Sequence, residues 1–134
     1  MNTTILTAPR RLFPLPEEDV EALDGRELLW ETIVHGQRWL LVHDFPLPAG
    51  YTATNTSLAL SISTSYPQDM LDMVYFYPPL QRACGRAISA LAVQPIDGKQ
   101  WQRWSRHYPW RSGIDCVATH LGRIEMWLEE ELKR

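Results

Sequence analysis

Residues Trp101 to Trp110, reading Trp-Gln-Arg-Trp-Ser-Arg-His-Tyr-Pro-Trp, bring three tryptophans, two arginines, a serine and a histidine into one short stretch. A serine hydroxyl attacks an acyl carbon at neutral pH only with a base beside it, and histidine is the usual base. Ser105 and His107 stand two apart, so they share a side on extended backbone and diverge on a helix. Arg106 or Arg103 would then steady a developing oxyanion or grip an acidic partner surface. The stretch sits between a turn signal, Asp97-Gly98, and a helix-start signal, Ser112-Gly-Ile-Asp115. That placement predicts a loop or short helix, where sites concentrate. Against a catalytic role stands a plain one, in which Ser105 caps a turn and His107 bonds a carbonyl.

Cys84 is the alternative nucleophile. It follows the rigid Pro78-Pro79 turn and lies between Arg82 and Arg86, two cations that favour a thiolate. Cys116 and His120 are spaced i, i+4 on the last predicted helix and share a face. A metal site needs at least three protein ligands, and no further Cys/His pair has metal-like spacing, so no metal or cofactor is expected. His35 falls in a predicted hairpin turn. His43-Asp44 ends a strand, and there a polar pair fixes the following proline-rich turn. Trp30 and Trp39 read as packing on facing strands. Trp101, Trp104 and Trp110 fit either packing or a protein-docking surface.

The elements that would position these residues follow from pattern. The chain has 134 residues and a 45% hydrophobic composition, which suit one domain with its own core, 1–134, in which 1–12 is a flexible or extended arm. A net charge of −3 argues against a nucleic-acid or anionic-membrane partner. No apolar run is long enough to span a bilayer, and the N-terminus lacks the layout of a secretory signal. Two cysteines are too few for a disulfide framework, so cytoplasmic residence is expected. Leu15-Pro16-Glu17-Glu18-Asp19 opens a helix that ends near Asp24-Gly25. Glu27 to Val34 and Arg38 to Phe45 form a hairpin around His35-Gly36, the stretch around Leu58, Leu60 and Ile62 is a third strand, and Met73 to Tyr77 a fourth. From Pro78 to Lys99 no periodicity is visible. Ile114, Val117, Ala118, Leu121, Ile124 and Leu128 then line one stripe of a final helix. The predicted class is α+β: an N-terminal helix, a four-stranded antiparallel meander, an irregular segment and a C-terminal packing helix.

This order, with its punctuation, resembles the ubiquitin-conjugating (E2) superfamily. Ser65-Tyr66-Pro67, Phe76-Tyr77-Pro78-Pro79-Leu80 and Trp110-Arg111-Ser112-Gly113-Ile114 stand where E2 domains carry their Tyr-Pro, Pro-Pro and tryptophan-before-helix marks. The closer likeness is to prokaryotic E2 family E, in Leu15 to Val20, His43 to Tyr51 and Trp101 to Trp110. The resemblance implies an E2/UBC-like fold over roughly 13–130 and a carrier function. An E1-like enzyme would activate the C-terminus of a ubiquitin-like protein, and this chain would accept it and pass it to a target lysine. It also implies an E1 contact at Glu17 to Leu23 and a bacterial conjugation operon with a role in antiphage defence. The chain departs from the family pattern at the nucleophile. It has no His-Pro-Asn, and the position where E2 domains keep their cysteine falls at Gln102, beside Trp104-Ser105-Arg106-His107. The resemblance therefore implies either a serine oxyester at Ser105, with His107 as base and Arg106 as support, or a thioester at Cys84. The third option is an inactive E2 variant that holds the E1 or the ubiquitin-like protein.

Overall fold

The computed structural model describes residues 8–134. The elements run α1 (Glu17–Gly25), β1 (Leu29–His35), β2 (Gln37–Pro46), β3 (Asn55–Ser61), β4 (Val74–Tyr77), β5 (Leu91–Ile96), β6 (Lys99–Trp104) and α2 (Val117–Glu131). The class is α+β as expected, but the sheet has six strands rather than four, in the order β1-β2-β3-β4-β6-β5. The expected N-terminal arm falls partly outside the described residues. Within them, Arg10 to Leu12 run beside β1 and exchange backbone hydrogen bonds with Thr32.

The two extra strands lie in what reads from sequence as an irregular segment and a loop. Asp97 and Gly98 both have positive φ, 53° and 76°, the conformation of a tight two-residue turn that joins antiparallel strands. Pro95 obscures β5 in the sequence, yet a proline is tolerated where its missing N–H faces away from the sheet. Trp101 and Trp104 obscure β6: three apart, they have helical spacing, but on a strand they point to opposite faces.

Opposite faces are both buried here. Leu40, Val42, Leu58, Leu60, Val74, Phe76 and Trp104 pack with Leu23 of α1 and Val117, Leu121, Ile124, Trp127 and Leu128 of α2. On the other face Ile33, Trp39, Leu41, Ala59, Tyr75, Ile96 and Trp101 form a second core. Ile33 and Ile96 belong to β1 and β5, the two ends of the sheet, so the sheet curls until its ends share one cluster. At the rim the Asp97 N–H donates to His35 Nδ1 at 2.8 Å, and Arg10 bridges Glu31 (2.9 Å) and Asp97 (2.8 Å). An exposed ion pair is worth about 0–1 kcal/mol, whereas truncating a buried tryptophan costs ~3–5 kcal/mol, so the aromatic cluster holds the curl and the rim contacts set its register.

The final helix starts later than its sequence stripe predicts. Gly113 turns left-handed (φ 84°), and Asp115 closes its own turn by accepting the Arg111 N–H at 2.7 Å. Cys116, extended at φ −158°, caps α2 instead of lying in its first turn, and Ile114 and Ala118 are exposed rather than on the packed stripe.

Glu31 is buried on β1 between Arg10 and His43. Burial pushes its carboxyl up, but the bonds from Arg10 and His43 outweigh burial and hold it down at about 2. Its contribution is therefore complete above the ordinary carboxylate range and is lost as pH falls from about 4.5 toward 2, on the order of 2 kcal/mol. Urea unfolding across that range should show the stability gap between the wild type and Glu31→Gln shrinking as pH drops. A gap independent of pH would mean that Glu31 titrates as it does in the unfolded chain.

Candidate functional site

β6 ends in a break of register. Up to Trp104 it pairs with β4 in one frame, Tyr75 with Arg103 and Val74 with Trp104. The next bond runs from the Met73 N–H to the Arg106 carbonyl at 3.1 Å, one residue out of frame, while the Arg106 N–H turns back to the Trp104 carbonyl at 3.0 Å. Ser105 is thus the extra residue of a β-bulge, a device that ends pairing and re-aims side chains. On the other flank the Ser105 N–H bonds to the Ala90 carbonyl at 3.1 Å. The two residues that hold the bulge, Met73 and Ala90, both have positive φ, 57° and 55°. That conformation costs a side-chain-bearing residue roughly 1–2 kcal/mol, and such strain persists where the surroundings over-determine it, which is common at sites.

Past the bulge, His107 faces Asp72, the residue that leads into β4. Its Nδ1 lies 2.8 Å and 3.0 Å from the two carboxylate oxygens. A carboxylate only accepts, so in the neutral ring the proton sits on Nδ1 and Nε2 carries the free lone pair. The His107 side chain is 65% exposed, so that lone pair is open to a docking molecule. Ser105 is half-buried, and its hydroxyl bonds neither to His107 nor to any other described residue. The sequence brings out Ser105 and His107 but not Asp72, 35 residues away, which only the register of β4 against the bulge brings into contact.

Arg106 is committed elsewhere. Its guanidinium bonds the buried Glu131 at 2.7 Å and the Ser89 carbonyl at 3.1 Å, and it lies 4.9 Å over the Trp104 ring. It fastens the segment to the end of α2. Further along, Trp110 donates to the Pro67 carbonyl at 3.0 Å and Ser112 to the Gln68 carbonyl at 2.8 Å. The Asp115 carboxyl is pushed up by burial but held well below the carboxylate range by the Arg111 N–H and the Arg111 and Arg123 guanidiniums. Gln102, where the family's cysteine would fall, is buried; its amide pairs with both backbone groups of Leu80 and accepts from the Trp104 indole at 2.8 Å. The three tryptophans of the stretch are thus packing residues: Trp101 and Trp104 are buried, and Trp110 lies against Tyr66.

Cys84 is exposed in the turn that the Gly85 N–H closes on the Arg82 carbonyl at 3.0 Å. Cys116 and His120 do not form a site together: His120 is buried against Trp127 and bonds the Met73 carbonyl at 2.9 Å, and burial lowers its pKa. Among the described residues no three His, Cys, Asp or Glu side chains gather as metal ligands. His35 is in the hairpin connection as expected but serves the rim contact with Asp97. His43 does not serve the proline-rich turn; it links Ser57 (Nδ1, 2.9 Å) to Glu31 (Nε2, 2.9 Å) in a row across β3, β2 and β1. That row lies on the side of the second core and, with Arg10 pinning Glu31, ties three strands together.

Compared with known families, residues 15–131 match the model of prokaryotic E2 family E. No curated protein and no solved structure matches the chain. Among the described residues no helix is long and apolar enough to cross a membrane.

Replacing Asp72 by Asn should leave stability within about 0.5 kcal/mol, as for most surface positions, while releasing the His107 tautomer. Long-range 1H–15N spectra of the neutral ring should show the proton on Nδ1 in the wild type and a mixture in Asp72→Asn. An equal mixture in both would remove Asp72 from the site.

Proposed function

The chain belongs to prokaryotic E2 family E, and from that membership we propose that it accepts the activated C-terminus of a ubiquitin-like protein from an E1-like enzyme and passes it to a lysine. The proposed carrier atom is Ser105 Oγ. The observation that supports this reading is the strained bulge, which isolates Ser105 at the end of β6, one residue before a segment whose next histidine is oriented by a carboxylate.

The chemistry asked of the site is acyl transfer. Ser105 Oγ forms a bond to the carbonyl carbon, and the bond from that carbon to the E1 leaving atom breaks. The serine proton passes to His107 Nε2 and from there to the leaving group. Ser105 and His107 make no hydrogen bond in the free chain, so the contact forms as the acyl donor docks. With Arg106 bound to Glu131, the backbone N–H of His107, which bonds no other backbone group, is free to donate to the oxyanion. An oxyester resists stray aminolysis better than a thioester, which leaves the second step dependent on how the target lysine is placed. The proposed setting is a bacterial conjugation operon that serves antiphage defence, with E1 contact through α1. The exposure of Cys84 favours one second reading, a thioester at that thiol.

Incubation with the E1-like enzyme, the ubiquitin-like protein and ATP, followed by intact mass, separates these readings. The expected adduct survives thiol reductant, is cleaved by hydroxide and is absent in Ser105→Ala. His107→Gln should form it roughly 10²–10⁴-fold more slowly. An adduct cleaved by reductant and lost in Cys84→Ala would move the chemistry to the thiol. No adduct, with a tight complex intact, would make the chain a scaffold.

A further inference from the structure

β5 closes one side of the sheet, and among the described residues no strand pairs with its outer edge. The Ser105 N–H to Ala90 carbonyl bond settles which backbone groups point where. Since Leu91 faces Trp104, Ala90 and Ser105 form the next pair, and it is the hydrogen-bonded one. Antiparallel alternation then aims the polar groups of Ala90, Ala92, Gln94 and Ile96 at β6, and those of Leu91, Val93 and Pro95 outward. Pro95 has no N–H to offer, so the open donors are Leu91 and Val93, both at the Ser105 end of the strand.

Natural sheets protect such edges with charged side chains, bulges or cover. β5 reads Leu-Ala-Val-Gln-Pro-Ile, without a charge, and Leu91 and Val93 are 41% and 67% exposed. Beside Leu91 a cavity of about 380 Å³ opens, with Leu80 and Ile88 on its apolar wall and Arg82 and Arg86 on its basic one. Arg82 is more than nine-tenths buried, and its Nε–H is buried without a hydrogen-bond partner. Its guanidinium bonds the Leu132 and Arg134 carbonyls, which fixes the basic wall of the cavity to the end of α2.

We infer that the outer edge of β5 and the adjoining cavity are the dock for the extended C-terminal tail of the ubiquitin-like protein. The inference rests on the carrier reading above. The tail adds as a short strand antiparallel to β5, exchanging hydrogen bonds with Leu91 and Val93. One apolar tail side chain enters the cavity against Leu80 and Ile88. This direction puts the C-terminus of the tail at Ala90, the residue bonded to Ser105. The last tail residues then cross Ala90, about two strand spacings (~10 Å), to bring the acyl carbon to the bulge, and the free donors lie at the end of β5 nearest it.

The test is residue-resolved hydrogen exchange on the full chain, alone and with the ubiquitin-like protein that its E1 charges, without E1 or ATP. Alone, the Leu91 and Val93 amides should exchange freely while Ala92 and Gln94 are protected. Adding the ubiquitin-like protein should protect Leu91 and Val93, and a version lacking its tail should not. Val93→Pro removes an outward N–H that β6 does not use, and Val93→Lys charges the edge; each should weaken binding at least tenfold. Protection of Leu91 and Val93 in the isolated chain would mean that a second copy or another segment of this chain holds the edge, and would overturn the inference. So would binding that leaves both amides unprotected. Ser105→Ala should still show the protection; a protected wild type that forms no adduct at Ser105 defeats the serine carrier alone. An adduct without protection defeats the dock alone.

Discussion

The demand that β6 be buried on both faces governs the architecture. A strand with a core on each side cannot show a single apolar face, and β6 meets the demand with Trp101 in one core and Trp104 in the other. Between them Gln102 must be polar and yet buried, and its amide is satisfied by Leu80 and the Trp104 indole. That bond fastens the turn carrying Cys84 and the cavity wall to the strand that leads to Ser105. The same strand joins β4 to β5, so the curl that lets Ile33 and Ile96 share a cluster passes through it. Loss of Trp104 would therefore reach the site by displacing the strand it terminates.

Much of this frame is legible in the sequence, and the failures have physical causes. Residue types and punctuation reveal α1, the β1–β2 hairpin, β3, β4 and the helical stripe that becomes α2, because each is a run of strand- or helix-forming residues with a clear stop. β5 escapes notice because Pro95 interrupts it and Ile96 is its one buried side chain, and β6 because Trp101 and Trp104, buried on opposite faces, have helical spacing. The Asp97-Gly98 turn is visible, but its role as a hairpin depends on two strands that the rules miss. The onset of α2 is misplaced because Asp115 turns its carboxylate back on Arg111 and Arg123, a contact between residues that look like helix-start chemistry. At the site, Ser105 and His107 can be picked out from local composition. Asp72 cannot, since its contact with His107 depends on a one-residue slip in a pairing that is itself unseen.

The two histidine–carboxylate pairs show how burial divides chemistry from support. His43 and Glu31 are buried, and Arg10 closes the carboxylate from its other side. A proton moved there would leave an uncompensated charge in the interior, which costs several kcal/mol, so the row acts as a strand tie. His107 and Asp72 stand at the surface, with one ring nitrogen open, and solvent eases the charge change that accepting a proton requires. Arg106 and Glu131 repeat the buried case and anchor the chain just past the bulge to α2 without entering the reaction.

A carrier of this kind gains most of its rate from placement, because its nucleophile is an ordinary hydroxyl. The segment from Ser105 to Cys116 is fixed at points on both sides of His107: Arg106 at α2, Trp110 and Ser112 at the Pro67-Gln68 turn, and Arg111 at Asp115. What those anchors leave free is a half-buried hydroxyl and one imidazole nitrogen. The strained φ values of Met73 and Ala90 fix the backbone at Ser105 from both neighbouring strands, so the hydroxyl starts from a defined position. Only two side-chain torsions of Ser105 and two of His107 then need to settle when the acyl group arrives. Ordering so few rotors costs on the order of 1–2 kcal/mol, well below what ordering a flexible loop would demand.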